Sequence, residues 1–268
     1  MDTSLGRLQE KDPALFRRLG RTVVHEGELP RHSVYTRFLH WAYGVFFFLA
    51  LLSGFAIYLP FLFRWFAPAF GGAANTRMLH PWFGLGFVFF FGLQALNWLG
   101  PMTWTGADSR WIRNVRQVVF NEDLVEAEDV GMFNGGQKLQ FWEIVIGSIV
   151  YLITGIIMWA GAHTFGAMTV AISYVLHDIS ALVMLFGIFI HVYLSTIGQP
   201  GTMQAMTRGT VSEAWGWTHA PAWFRQMTGR DPRQALEQER KRRADRERAI
   251  EQLSREAPGG PPAGGRRV

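Results

Sequence analysis

Apolar side chains fall into four blocks along the chain, at residues 38–60, 80–100, 141–161 and 174–197. Each block is apolar on all sides rather than along one stripe, the pattern of a helix buried in a large core or a membrane. At about 20 residues or slightly more, each is long enough to cross a hydrocarbon layer of about 30 Å as an α-helix. A chain of 268 residues is too small to bury four such helices in water. The expected fold is therefore an all-α membrane protein, a four-transmembrane-helix bundle. The first block follows almost 40 polar residues and is longer than a signal-peptide core, so it reads as a membrane span and not a cleaved leader.

The polar stretches divide the rest. Residues 1–36 read as an N-terminal arm, 37–226 as the membrane domain, and 227–268 as a charged, partly disordered tail. In the long second loop, Trp111, Ile112, Val115, Val118 and Val119 recur at helical spacing among Arg110, Arg113 and Arg116. That predicts a short helix, either lying on the membrane surface or capping the bundle in water. The turn Asn134-Gly135-Gly136-Gln137-Lys138 leads into the third span. A charged run from 230 to 256 reads as solvated helix, and the Pro- and Gly-rich end from Ala257 as disordered. No internal repeat is visible.

Charge orients the bundle. Of the 26 Lys and Arg residues, seven precede the first block, including Arg7, Lys11, Arg17, Arg18 and Arg21. Two lie in the first loop, four in the second, none in 162–173, and 13 after the last block. Positive charge marks the cytoplasmic side, so both termini and the second loop are expected inside and 162–173 outside. The basic balance then reflects orientation and anionic lipid, with no nucleic-acid partner expected. The absence of cysteine excludes disulfides, thiolate-held zinc or iron–sulfur clusters, and covalently attached haem.

Ionisable groups are costly inside a bilayer, and four of the eight histidines fall in apolar blocks: His40, His80, His177 and His191. The other four, His25, His32, His163 and His219, read as ordinary surface residues. His177 and His191 are 14 residues apart, about 40° short of four helical turns and about 21 Å along the axis. They share a face at two depths. Alternating helix directions put His40 level with His191 on the inner side and His80 level with His177 on the outer side. Two imidazole pairs stacked across a membrane are what two b-type haems require. Small residues lie one turn from each: Gly44, Gly84, Ala181 and Gly187, with Gly54 at the outer depth, leaving room for a flat macrocycle. Zinc fits less well, because no carboxylate accompanies either pair. Glu143 is expected either to relay protons or to stabilise the start of the third helix. Asp178 reads as structural, and Trp41, Trp82, Trp98 and Trp142 as interfacial anchors.

At Arg37-Phe38-Leu39-His40-Trp41, Leu79-His80-Pro81-Trp82-Phe83-Gly84, the stretch from Asp129 to Lys138, and His177 with His191, the chain resembles the gamma (cytochrome b) subunit of membrane-bound respiratory formate dehydrogenase. The resemblance runs from about residue 37 to 226. It implies that His40 and His191 hold the inner haem and His80 and His177 the outer one. It also implies a menaquinone or other quinone site beside the inner haem, at Asn134, Gly136 and Gln137. The implied partners are an iron–sulfur beta subunit and a molybdenum- or tungsten-containing catalytic alpha subunit, with formate oxidised outside this chain. The implied location is the bacterial inner membrane. The alternatives are the cytochrome b subunit of a nickel–iron hydrogenase or related oxidoreductase and, in another class, a haem-free membrane anchor or transporter.

Overall fold

In the computed structural model of the chain, residues 24–116 and 129–256 are described. The arm up to residue 23, with its five basic side chains, lies outside them. So do Val118 and Val119 of the loop helix and the tail from Ala257.

Four helices are long and apolar enough to span a membrane: α1 (Val34–Tyr58), α3 (Ala73–Trp98), α5 (Gly135–Ala160) and α7 (Ala167–Tyr193). Their outward side chains, such as Phe89, Leu96, Ile146, Leu182 and Phe186, are exposed, which suits lipid and not water. Short α2 (Pro60–Phe66) and a 3₁₀ turn (Ala67–Phe70) join α1 to α3. The second loop carries α4 (Gly106–Arg113), and α6 (Ala162–Phe165) makes the turn into α7.

All four spanning helices begin before the apolar blocks do. α1 starts at a Ser33 cap whose hydroxyl accepts from the Thr36 N–H at 3.1 Å. α3 starts seven residues ahead of His80, so Pro81 sits inside the helix and not in its first turn. Residues 73–79 are polar enough to escape a hydropathy window, and Pro81 by itself marks a helix start. α7 begins at Ala167, which shortens the expected outer segment to a few residues around α6. It ends after His191 in a π turn, Leu194–Gly198, closed by the Gln199 N–H to the Leu194 carbonyl at 2.9 Å.

α1 packs along α3 and α5 along α7, giving two antiparallel hairpins that meet chiefly where α3 touches α5. Aromatic side chains fill that seam: Phe47, Phe87, Phe91 and Phe141, with Met184 from α7. α7 has scarcely any backbone contact with α1 or α3. The backbone of α7 therefore stands apart from both.

One end of the bundle carries a folded cap. β1 (Glu28–Pro30) pairs antiparallel with β2 (Thr210–Ser212), Leu29 opposite Val211. Around this ribbon pack α8 (Thr202–Thr207), α9 (Glu213–His219), α10 (Pro221–Thr228) and the start of α11 (Pro232–Glu256). Its core holds Leu29, Val211, Trp215, Trp217, Trp223 and Phe224. The expected divisions at 36 and 226 fall inside this cap and the helix it leads into. Arg31, one of the seven basic residues counted before the first block, is buried here. Its guanidinium lies 4.3 Å from the Trp215 ring centre and 5.1 Å from that of Trp223, and it donates to the Met132 carbonyl.

Candidate functional site

The four intramembrane histidines are drawn into two pairs. The rings of His40 on α1 and His191 on α7 have centres 6.1 Å apart and planes at 39°. Those of His80 on α3 and His177 on α7 have centres 6.2 Å apart and planes at 63°. Both spacings are too wide for a direct hydrogen bond. They leave room between the facing ring nitrogens for one metal ion at bonds of about 2.0 Å. Among the described residues no third His, Asp, Glu or Cys joins either pair to complete an ion site. A macrocycle that brings its own four nitrogens needs only the two imidazoles. Such a group would lie between α7 and the α1–α3 hairpin, where the paired rings face each other.

Hydrogen bonds fix which ring nitrogen is available at one pair. Ser53 Oγ lies 2.9 Å from His80 Nδ1, and Thr154 Oγ1 lies 2.9 Å from His177 Nδ1. Each hydroxyl already donates its one proton to a carbonyl of its own helix, Leu49 at 2.7 Å and Val150 at 2.6 Å. Each can therefore only accept from the histidine, so Nδ1 carries the hydrogen and Nε2 is left with its lone pair. At the other pair, His40 Nδ1 is buried without a hydrogen-bond partner. The residues fit b-type haem at both levels.

The small residues play different parts. A Cβ built on Gly44 or Gly84 meets nothing within 4 Å, so no neighbouring helix closes off either position. At Gly54 a Cβ would sit 3.3 Å from the His80 ring, so this glycine seats the imidazole itself. Gly187 has a second neighbour: the carboxylate at the end of the Glu143 side chain lies where its side chain would be. Glu143 is more than two turns inside α5, too deep for the stabilisation of a helix start, which is confined to the first turn. One of its oxygens takes the Gln140 amide at 3.0 Å and the other is buried without a partner.

The turn before α5 is a reciprocal capping box. Asn134 Oδ1 accepts the Gln137 N–H at 3.0 Å, and Gln137 Oε1 accepts the Asn134 N–H at 3.1 Å. The close approach that Gly136 permits is taken by Trp111 of α4, whose ring would lie 2.8 Å from an added Cβ. A buried ion pair braces the same turn. Lys138 Nζ is 2.7 Å from Asp108 and 2.9 Å from the Thr103 carbonyl, and Asp108 also accepts from the Thr105 hydroxyl at 2.6 Å. Burial works to raise the Asp108 pKa, but Lys138 and Thr105 together outweigh it and hold the carboxyl below its ordinary value. α4 is thus a cap helix docked on α5, with Trp111 turned inward.

His32 is the residue that sequence reasoning misplaced. It is 4% exposed, not a surface side chain, stacked on Phe133 at 6.0 Å and against Trp98 at 5.6 Å. Burial, reinforced by the neighbouring Arg31, holds it well below the usual histidine pKa. Its signal in the sequence is slight: a position two residues before α1, beside an arginine. Through Phe133 it links the Asn134 turn to the end of α1 that carries His40. Trp41 and Trp142 are tied to connecting segments, donating to the Met206 carbonyl at 3.1 Å and the Met102 carbonyl at 3.0 Å.

Comparison with known proteins agrees with this architecture. Residues 31–209 match the family described as prokaryotic cytochrome b561. Over 193 residues the chain is 31% identical to the cytochrome b556(Fdn) subunit of the nitrate-inducible formate dehydrogenase of Escherichia coli K12, covering 71% of this chain and 88% of that one. It is 30% identical over 199 residues to the cytochrome b556(fdo) subunit of formate dehydrogenase from the same organism, covering 74% and 92%. Against the formate dehydrogenase cytochrome b556 subunit of Haemophilus influenzae it is 29% identical over 206 residues, covering 76% and 85%.

Proposed function

Since the chain belongs to the prokaryotic cytochrome b561 family and is a formate dehydrogenase cytochrome b subunit of the bacterial inner membrane, we propose that it passes electrons across that membrane to a quinone. The observation that carries this reading is the two imidazole pairs at 6.1 and 6.2 Å, whose members His177 and His191 stand 14 residues apart on one helix. That separation is about 21 Å along the axis, most of the way through the hydrocarbon layer. Haem held by two imidazoles supplies reversible one-electron transfer and offers no open position for other chemistry.

His80 and His177 hold the group on the outer side, where an iron–sulfur partner subunit delivers electrons from a molybdenum- or tungsten-containing catalytic subunit. This chain, without cysteine, holds no thiolate-ligated cluster of its own. His40 and His191 hold the group on the cytoplasmic side, beside the cap and the Asn134 turn. There the quinone is bound. The capping box uses the amide oxygens of Asn134 and Gln137 and leaves both NH₂ groups as donors for the quinone oxygens. The Gly136 N–H lies in the first turn of α5, where no intrahelical acceptor exists. Protons consumed at the quinone come from the cytoplasm, and charge is separated across the membrane.

Optical and redox spectra of the purified complex test this. The parent should contain two low-spin haems per chain. His191→Ala and His177→Ala should each remove or convert one and spare most of the other's signal. Both signals persisting in His191→Ala would remove the ligand set.

A further inference from the structure

We propose that Ser53 and Thr154 are positioning residues for one of the two haem sites: their hydroxyls fix the tautomer, the ring orientation and the donor strength of His80 and His177. The inference rests on the haem reading above and deepens it. The two sites are built differently. At the His80–His177 pair each Nδ1 faces a hydroxyl oxygen at 2.9 Å, and each hydroxyl is locked by its own bond to a carbonyl one turn back. At the other pair His40 Nδ1 is buried with no partner. Ser53 and Thr154 come from α1 and α5, helices that carry no ligand of this site. The helix next to each ligand helix thus supplies the support, Ser53 to α3 and Thr154 to α7.

The consequences are chemical. A histidine that donates Nδ1–H to an acceptor gains electron density at Nε2 and becomes a stronger ligand for the oxidised metal. The same bond stops the ring turning about its bond to the metal and so maintains the 63° between the two planes. Removing the acceptor should weaken the preference for the ferric form, raise that haem's midpoint potential, and free the ring. The His40–His191 site should not respond.

The test uses the intact purified complex carrying Thr154→Val, Ser53→Ala, Thr154→Ser or no substitution. It combines potentiometric titration resolved by optical spectrum with electron paramagnetic resonance of the ferric haems. Thr154→Val should keep both haems, shift one midpoint upward and move the largest-g feature of that haem alone. Ser53→Ala should shift the same haem in the same direction, and Thr154→Ser should restore both readouts. Loss of that single haem in Thr154→Val, recovered in Thr154→Ser, equally supports the role. Unchanged midpoints and spectra in both deletion variants would overturn it. So would a shift in the haem that His191→Ala removes, or equal loss of both haems in Thr154→Val. If the parent complex holds fewer than two low-spin haems, the haem reading itself fails.

Discussion

Single side chains in this protein do unlike things according to what surrounds them, and the histidines make the point. Four face each other in pairs between helices, while His32 is packed between two aromatic rings and kept neutral. Its pKa is well below the unfolded value of about 6.5, so the unfolded chain binds the proton more tightly. Stability is then fully present above pH 6.5 and falls as the pH drops from there toward the folded value. The loss approaches about 1.4 kcal/mol per pH unit in that window. His32→Phe keeps the stack and removes the proton. Denaturation midpoints of detergent-solubilised protein measured from pH 7.5 to 5 should fall less steeply in the variant than in the parent. Parallel curves would show that His32 does not govern the acid limb. Arg31 is similar, a charge among indole faces whose burial no count of basic residues reveals.

Helices set where these side chains stand. Spans of 25 to 27 residues are longer than the hydrocarbon layer requires, so their ends reach into the headgroup region and meet the cap and loops there. α5 is the best anchored at its start, with the capping box, Trp111 and the Asp108–Lys138 pair all converging. Lys138→Met would leave Asp108 buried and unpaired, a loss of roughly 3–5 kcal/mol. Adding Asp108→Leu should recover much of it, read as the thermal midpoint of the purified protein. Lys138→Met with parental stability would mean that the pair is not buried in the membrane-embedded protein. The turn also separates two roles for Asn134. Serine caps a helix about as well as asparagine but offers no NH₂. Asn134→Ser should therefore keep stability and both haems, yet slow re-oxidation by an added menaquinone analogue severalfold. Asn134→Ala should add a stability loss of about 1 kcal/mol. Normal re-oxidation in both variants would move the quinone elsewhere.

At the scale of the whole molecule, two hairpins pack together and a cap covers one end. The direction of charge movement depends on which end faces the cytoplasm. By the positive-inside rule the Lys and Arg distribution predicts the cap inside and α6 outside. Arg31 and Lys138 are buried in structural roles, yet Arg208, Arg225 and Arg230 at the cap surface leave the asymmetry in place. A reporter fused after Phe165 should be periplasmic, and one after Glu256 cytoplasmic. The reverse pattern would invert the electron path and the side of proton uptake.

Four spans and four intramembrane histidines are legible from sequence alone, because hydropathy and helical periodicity are local and alternate helices must run in opposite directions. Those two facts also order the histidines by depth, which is why His40 can be matched with His191 and His80 with His177 before any coordinates exist. The helix starts were less legible: polar residues 73–79 and the block-like Pro81 hide the first turns of α3. What only the tertiary structure decided are contacts between residues far apart in sequence. Ser53 meets His80, Thr154 meets His177, Glu143 fills the space beside Gly187, Trp111 covers Gly136, and His32 and Arg31 turn inward among aromatic rings. Each depends on which helix faces come together and at what rotation. Inside an apolar block every face looks alike, so the pattern of hydrophobic positions carries no record of that choice.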